Sequence, residues 1–123
     1  MPPNRIIIAD DEHSIIVPVQ FLLEQNKFNV RTVDRGDAVM DAVLSFRPDL
    51  ILLDIMLPVM DGFEICQRIR EHPDLKQTKI IFLSAVARDV DISKGMALGA
   101  DGYITKPFSN VTLLDHIRKV LAG

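Results

Sequence analysis

Residues 50–54 read Leu50-Ile51-Leu52-Leu53-Asp54, four consecutive branched aliphatic side chains followed by a carboxylate. A half-exposed strand would alternate apolar and polar positions, so a continuous apolar run is typical of a strand that is covered on both faces. Two more runs of this kind occupy residues 5–9 and 79–83. Because such strands belong to parallel sheets with helices on both faces, the sequence predicts an α/β fold.

Helical patterns separate these runs, each with one apolar stripe at three- and four-residue spacing. Four of them span residues 15–23, 38–46, 65–69 and 113–121, and a weaker one, interrupted by Gly95, spans about 88–98. Weaker strands are expected at residues 29–33 and 102–105. Pro18 lies inside the first helical pattern, so we expect a late start or a kink there. Right-handed crossovers would fold these five strand-helix repeats into one parallel sheet with helices on both faces.

The composition indicates a single globular domain that spans residues 1–123 and contains no output domain. The chain has 48% apolar and 25% charged residues, without a linker-like or repetitive segment. Its 14 Lys and Arg against 17 Asp and Glu give a net charge of −3, which argues against direct nucleic-acid binding. No apolar stretch is long enough for a membrane span or a signal peptide, so we expect a cytoplasmic protein with no membrane contact.

Polar side chains follow four of the predicted strands at the point where each strand ends. They are Asp10 and Asp11, Asp54, Ser84, and Lys106. The carboxyl ends of parallel strands meet at one edge of a sheet, where active groups collect. Carboxylates gathered there would repel each other unless a cation compensates, and Mg²⁺ prefers oxygen ligands of this kind. A carboxylate is also a nucleophile toward phosphorus, and the hydroxyl and ammonium groups would neutralise the phosphoryl oxygens.

Each of these residues also has a purely structural interpretation. An Asp pair after a strand often caps a helix, a Ser at a strand end often belongs to a turn, and a Lys is usually solvated. Acid, acid, hydroxyl and amine at four separate strand ends are harder to explain in that way. The combination therefore favours a functional site.

Four segments carry a resemblance that covers nearly the whole chain. They are Ile6-Ile7-Ile8-Ala9-Asp10-Asp11-Glu12, residues 48–62 with Asp54-Ile55-Met56-Leu57-Pro58 at their centre, Ser84-Ala85, and Gly99-Ala100-Asp101-Gly102-Tyr103-Ile104-Thr105-Lys106-Pro107-Phe108. In this order they resemble the motifs of the response-regulator receiver domains of two-component signalling. The resemblance implies a flavodoxin-like, doubly wound five-stranded parallel sheet of order 2-1-3-4-5 with five helices.

The resemblance also implies a role for each residue of the acidic site. Asp54 would be the phosphoacceptor, and the phosphoryl donor would be a sensor histidine kinase or a histidine phosphotransferase. Asp11, Asp54 and the backbone carbonyl of Met56 would bind Mg²⁺ (or Mn²⁺). Asp10 would support the metal through water. The chain would not be an enzyme beyond its own phosphotransfer and dephosphorylation.

A second set of residues would translate phosphorylation into recognition. Ser84 and Lys106 would hold the phosphoryl oxygens, and the Lys106–Pro107 peptide bond would be cis. Ser84 and Tyr103 would act as the switch pair, changing a surface around the fourth helix, fifth strand and fifth helix that binds a downstream protein. Gly102 follows Asp101 where many dimerising receivers have a second acid, so we expect a monomer or weak dimer.

Two other functions remain open at this point. A phosphohydrolase with an aspartyl-phosphate intermediate usually needs a second acid two residues after the nucleophile, and Met56 occupies that position. A binding module that works without phosphorylation usually lacks the acceptor, the acid pair or the lysine, all of which are present here. Met56 and Val86 are apolar where polar residues could position a hydrolytic water, so we expect a long-lived phosphoryl-aspartate.

Overall fold

The computed structural model describes residues 4–86 and 88–123, in which five strands alternate with five α-helices. The strands are β1 (Arg5–Ala9), β2 (Asn29–Val33), β3 (Leu50–Leu53), β4 (Lys79–Ser84) and β5 (Gly102–Thr105). The helices are α1 (His13–Gln25), α2 (Val39–Phe46), α3 (Gly62–Glu71), α4 (Asp89–Ala97) and α5 (Asn110–Ala122). Short 3-10 turns occupy Gly36–Ala38 and Pro73–Leu75.

The strands form one parallel sheet in the order β2-β1-β3-β4-β5, as predicted. The three apolar runs are its central strands, and all four residues of β3 are buried. Alternate residues of these strands face opposite sides, so each strand supplies two hydrophobic cores. One core contains side chains of α1 and α5, and the other contains side chains of α2 and α3. Among the described residues, no helix combines the length and apolarity needed to cross a bilayer.

Helix α1 contains a proline and helix α4 contains a glycine, and the structure contradicts one detail of the prediction for α1. Helix α1 begins at His13 and continues through Pro18, so a late start is wrong. The carbonyl of Glu12 accepts hydrogen bonds from the backbone N–H groups of Ile15 and Ile16, which completes the first turn before the proline. Helix α4 includes Gly95, where a Cβ atom would lie 3.0 Å from the ring of Phe82. The glycine therefore lets α4 pack closely against the sheet.

The loop between β3 and α3 is fixed by contacts to its own backbone. Asp61 caps α3, because its side chain accepts a hydrogen bond of 2.9 Å from the backbone N–H of Glu64. Gly62 donates its backbone N–H to the carbonyl of Ile55 at 2.7 Å. A Cβ atom on Gly62 would lie 2.4 Å from the carbonyl oxygen of Asp54. Only glycine fits there without moving the backbone that carries Asp54.

Gly62→Ala is therefore expected to destabilise the fold by about 1–3 kcal/mol, the usual range for overpacking against a rigid neighbour. Gly102→Ala is the matched control, since its Cβ would meet nothing closer than 3.5 Å. That control should be neutral or stabilising by up to about 1 kcal/mol. Urea unfolding of both variants measures the difference, and equal stabilities would contradict the close contact at Gly62.

Candidate functional site

Backbone hydrogen bonds bring the polar strand ends together. The sheet ladder continues one residue beyond the strands, because the N–H of Asp10 donates to Val33 at 3.0 Å and that of Asp54 donates to Ala9 at 2.9 Å. In the same way, the N–H of Lys106 donates to the carbonyl of Ser84 at 2.9 Å. Each functional side chain thus leaves the sheet from a backbone position that two neighbouring strands hold in register.

The ammonium group of Lys106 lies at the centre of the site. Its Nζ atom is 2.8 Å from Asp10 Oδ2, 2.9 Å from Glu12 Oε1 and 3.3 Å from Asp54 Oδ2. We call these four residues the Lys106 cluster. A lysine side chain is usually solvated, but that of Lys106 is only 8% exposed. The following peptide bond, Lys106–Pro107, is cis.

Asp10 has an unusual environment for a carboxylate. It is 1% exposed, and its Oδ1 atom accepts a hydrogen bond of 2.9 Å from the backbone N–H of Glu12. Among the described residues, its buried Oδ2 atom makes no hydrogen bond of good geometry, although Lys106 Nζ is close to it. A buried acceptor of this kind is suited to a cation or to a water that a cation holds.

The electrostatics of the cluster change the ionisation of two residues. Burial, and then the negative charge of Asp10, raises the pKa of Asp54 from 3.8 to about 6, against the opposing charge of Lys106. Burial alone would lower the pKa of Lys106. The nearby carboxylates of Asp10 and Glu12 outweigh that effect and raise the pKa of Lys106 above its ordinary value. Lys106 is therefore firmly charged, whereas the ionisation of Asp54 costs more free energy than that of a solvated aspartate.

Oxygen atoms of Asp10, Glu12 and Asp54 lie within 4.8 Å of one another, close enough to hold one metal ion. Their hard oxygen donors and the buried Oδ2 of Asp10 fit a divalent cation of the magnesium type. Asp11, one of the predicted ligands, is exposed and lines the adjoining cleft without joining this group. Glu12 was not predicted, because a glutamate after a strand usually points into solvent.

The cleft beside the cluster is open and has a volume of about 270 Å³. Its walls include Asp11, Glu12, Asp54, Met56, Ser84, Ala85 and Lys106. The backbone N–H of Met56 lies 3.3 Å from Asp54 Oδ1, and the Met56 side chain is exposed. Asp11, Asp54, Met56, Ser84 and Lys106 therefore line this cleft, and Asp10 lies beside it in the Lys106 cluster. Tyr103 and Pro107 do not line it.

Ser84 and Tyr103 are linked through one residue of the loop after β4. The backbone N–H of Val86 donates to Ser84 Oγ at 3.1 Å, and the Tyr103 hydroxyl donates to the carbonyl of Val86. The half-buried Tyr103 ring also lies against Phe82, with their centroids 5.9 Å apart. Burial of the ring raises the pKa of Tyr103.

The raised pKa of Asp54 predicts a pH-dependent gain from Asp54→Asn. Below a pH of 3.8, Asp54 is neutral in both the folded and the unfolded protein. As the pH rises through about 6, the folded protein loses stability, because Asp54 ionises more readily in the unfolded chain. An asparagine stays neutral throughout. With a chelator present, the stability gained through Asp54→Asn should be about 1–3 kcal/mol larger near pH 7.5 than near pH 4.5. Urea unfolding at both pH values checks this, and a pH-independent difference would contradict it.

Comparison with known proteins places this chain in one family. The model of the family described as "Response regulator receiver domain" matches residues 6–118. The chain is 36% identical over 117 residues to the phosphate regulon transcriptional regulatory protein PhoB of Rhizobium meliloti, with 95% of this chain and 52% of that protein covered. It is 37% identical over 118 residues to the alkaline phosphatase synthesis transcriptional regulatory protein PhoP of Bacillus subtilis, with 96% and 48% covered. The chain thus spans about half the length of these curated relatives.

Solved structures agree with the sequence comparisons. The beryllofluoride-activated N-terminal receiver domain of Klebsiella pneumoniae RstA superposes with a TM-score of 0.91 at 29% identity, covering 98% of this chain and 100% of that one. The chemotaxis response regulator CheY4 of Vibrio cholerae superposes with a TM-score of 0.90 at 30% identity, covering 96% of this chain and 98% of that one. The chain therefore belongs to the response regulator receiver domain family.

Proposed function

We propose that this receiver domain accepts a phosphoryl group on Asp54 in a magnesium-dependent reaction and thereby switches a partner-binding surface. The donor is a sensor histidine kinase or a histidine phosphotransferase. The observation that supports this most directly is the position of Lys106, whose ammonium group lies 3.3 Å from Asp54 Oδ2 inside a buried acidic site. A positive charge held there is suited to neutralise oxygens that are added to Asp54.

In the proposed reaction, a carboxylate oxygen of Asp54 attacks the phosphorus atom of the phosphohistidine. The new bond is O–P, the N–P bond of the donor breaks, and the imidazole leaves with the electron pair of that bond. Lys106 and the hydroxyl of Ser84 donate hydrogen bonds to the phosphoryl oxygens. Nearly all of the rate gain would come from positioning and charge neutralisation.

Magnesium, or manganese, would neutralise part of the phosphoryl charge when bound. The residues proposed to hold it are Asp11, Asp54 and the backbone carbonyl of Met56, with Asp10 acting through a water molecule. The buried Asp10 Oδ2, which lacks a well-formed hydrogen bond within the described part of the chain, supports that role. Exposed Asp11 supports it less directly, through its place in the wall of the cleft.

The switch follows from the shared contacts of Ser84 and Tyr103. If Ser84 Oγ turns to a phosphoryl oxygen, the Val86 N–H loses its acceptor, and the loop that also holds the Tyr103 hydroxyl must rearrange. Tyr103 lies on β5, next to α4 and α5. We therefore propose that a downstream protein target reads the surface formed by these three elements.

Asp101 supports a monomer or a weak dimer. Its carboxylate accepts hydrogen bonds of 2.9 Å from both the guanidinium of Arg70 and the backbone N–H of Ile80. These internal partners leave it less available to a second chain. With its net negative charge, this domain would act through protein partners in the cytoplasm and not through direct contact with nucleic acid.

Phosphorylation can be tested with acetyl phosphate and Mg²⁺ as the only additions. Intact mass should show one phosphoryl adduct on the native chain and none on Asp54→Asn. Ser84→Ala serves as a second variant, which should retain the acceptor but react more slowly because it lacks a donor to the phosphoryl oxygens. An unmodified native protein with an intact fold would contradict the proposal and favour a binding module that works without phosphorylation.

The apolar Met56 predicts a slowly hydrolysed phosphoryl-aspartate. Met56→Asn would place a polar group in the wall of the cleft, where it can orient a water toward phosphorus. We expect the half-life to fall by roughly three- to tenfold, equivalent to about 0.7–1.4 kcal/mol in the barrier. The matched control is Val59→Asn, at an exposed residue of the same loop with φ of 75°, a conformation that asparagine tolerates.

Decay of the mass adduct after removal of the donor measures both half-lives. The Val59→Asn variant should decay at the native rate. Rapid hydrolysis of the native adduct, or no change with Met56→Asn, would show that the apolar side chain does not protect the phosphoryl group.

A further inference from the structure

Glu12 makes a contact that its place in the chain does not explain. It is the N-cap residue of α1, yet its side chain makes no capping hydrogen bond to that helix. The carboxylate instead accepts a hydrogen bond of 2.9 Å from the ammonium of Lys106, which lies 94 residues away in the sequence. Serine, threonine, aspartate and asparagine are the effective capping residues, so glutamate is a poor choice for the cap itself. The contact with Lys106 is therefore the main interaction of this side chain.

The ammonium of Lys106 is already engaged by carboxylates. It donates hydrogen bonds to Glu12 at 2.9 Å and to Asp54 at 3.3 Å. Asp10 Oδ2 lies 2.8 Å away as an ion-pair partner, without a well-formed hydrogen bond within the described part of the chain. The hydrogen bond to Asp54 is the longer of the two, so a phosphoryl group on Asp54 competes with Glu12 for the Lys106 ammonium.

Glu12 is the partner that can release Lys106 most easily. Its side chain is 53% exposed, whereas those of Asp10 and Asp54 are 1% and 5% exposed. A carboxylate that swings into water regains its hydration, so Glu12 can leave Lys106 at a lower cost in free energy than either buried carboxylate. Breaking the contact to Asp10 would leave a buried charge without its partner.

We propose that Glu12 is a positioning residue that holds the Lys106 ammonium away from the phosphoryl position until Asp54 is phosphorylated. Its contact competes with the phosphoryl oxygens for one donor of Lys106, and its negative charge opposes an anionic phosphodonor. Asp10 keeps Lys106 inside the site after Glu12 has moved. This inference rests on the proposed phosphorylation of Asp54, and it makes Glu12 a brake on that reaction.

The test compares Glu12→Gln with the native chain and with Glu24→Gln, which removes an equal charge from an exposed position at the other end of α1. Phosphorylation by acetyl phosphate and Mg²⁺ is followed by intact mass. Glu12→Gln should react roughly two- to fivefold faster, the factor that an exposed charge pair can supply, and Glu24→Gln should react at the native rate. The acceleration should shrink as the ionic strength is raised.

Beryllofluoride, a phosphoryl analogue, gives an equilibrium readout that does not depend on turnover. With Mg²⁺ present, Glu12→Gln should bind it more tightly by a similar factor. Glu12→Asp keeps the charge but is one methylene too short to maintain the contact with Lys106. It should therefore also react faster than the native chain, and a native rate for this variant would overturn the role of the contact.

The outcomes separate this inference from the function on which it rests. Equal or slower phosphorylation of Glu12→Gln, with Asp54 still modified in both proteins, would overturn the role of Glu12 and leave the proposed function standing. The absence of an adduct and of beryllofluoride binding in every protein would overturn both. Urea unfolding of each variant shows that the comparison is made between folded proteins.

Discussion

The confinement of the Lys106 ammonium among three carboxylates is the interaction on which the rest of the site depends. The side chain of Lys106 is 8% exposed, and its nearest acidic neighbours include the nearly inaccessible Asp10 and Asp54. One ammonium cannot neutralise three carboxylates, so the cluster keeps an excess of negative charge when all are ionised. Burial, and then the negative charge of Asp10, raises the pKa of Asp54. The excess negative charge also makes the binding of a divalent cation favourable.

The sheet makes this confinement possible, because side chains alone would not hold repelling charges together. Asp10, Asp54 and Lys106 are each fixed through a backbone hydrogen bond to the neighbouring strand. Behind them, the buried central strands supply the hydrophobic free energy that offsets the electrostatic repulsion. Gly62 adds a steric requirement, since its missing Cβ lets α3 start directly against the Asp54 carbonyl. The hydrophobic core, the backbone hydrogen bonds of the sheet and Gly62 therefore all contribute to the position of the Asp54 carboxylate.

Much of this arrangement could be predicted from the sequence, and the exceptions have physical reasons. Continuous apolar runs predicted β1, β3 and β4, because a strand that is covered on both faces has no exposed positions for polar residues. Gly95 weakened the prediction of α4, since intrinsic propensity does not reveal that a glycine is needed against the ring of Phe82. Glu12 was missed for a similar reason. Spacing shows which strand end a residue follows, but the direction of a long side chain depends on a lysine 94 residues away.

The two halves of the site share Val86, whose peptide groups connect Ser84, beside the proposed phosphoryl position, with the aromatic residues. Its N–H is held by Ser84 and its carbonyl by Tyr103, so neither contact can change without affecting the same short loop. Beyond Tyr103, the rings of Phe82 and Phe63 continue the packing toward α3, with centroids 5.9 and then 5.5 Å apart. Closely packed rings move between discrete arrangements and not continuously. In the proposed switch, a change of hydrogen-bond partner at Ser84 would therefore reach the ring of Tyr103 through the peptide groups of Val86.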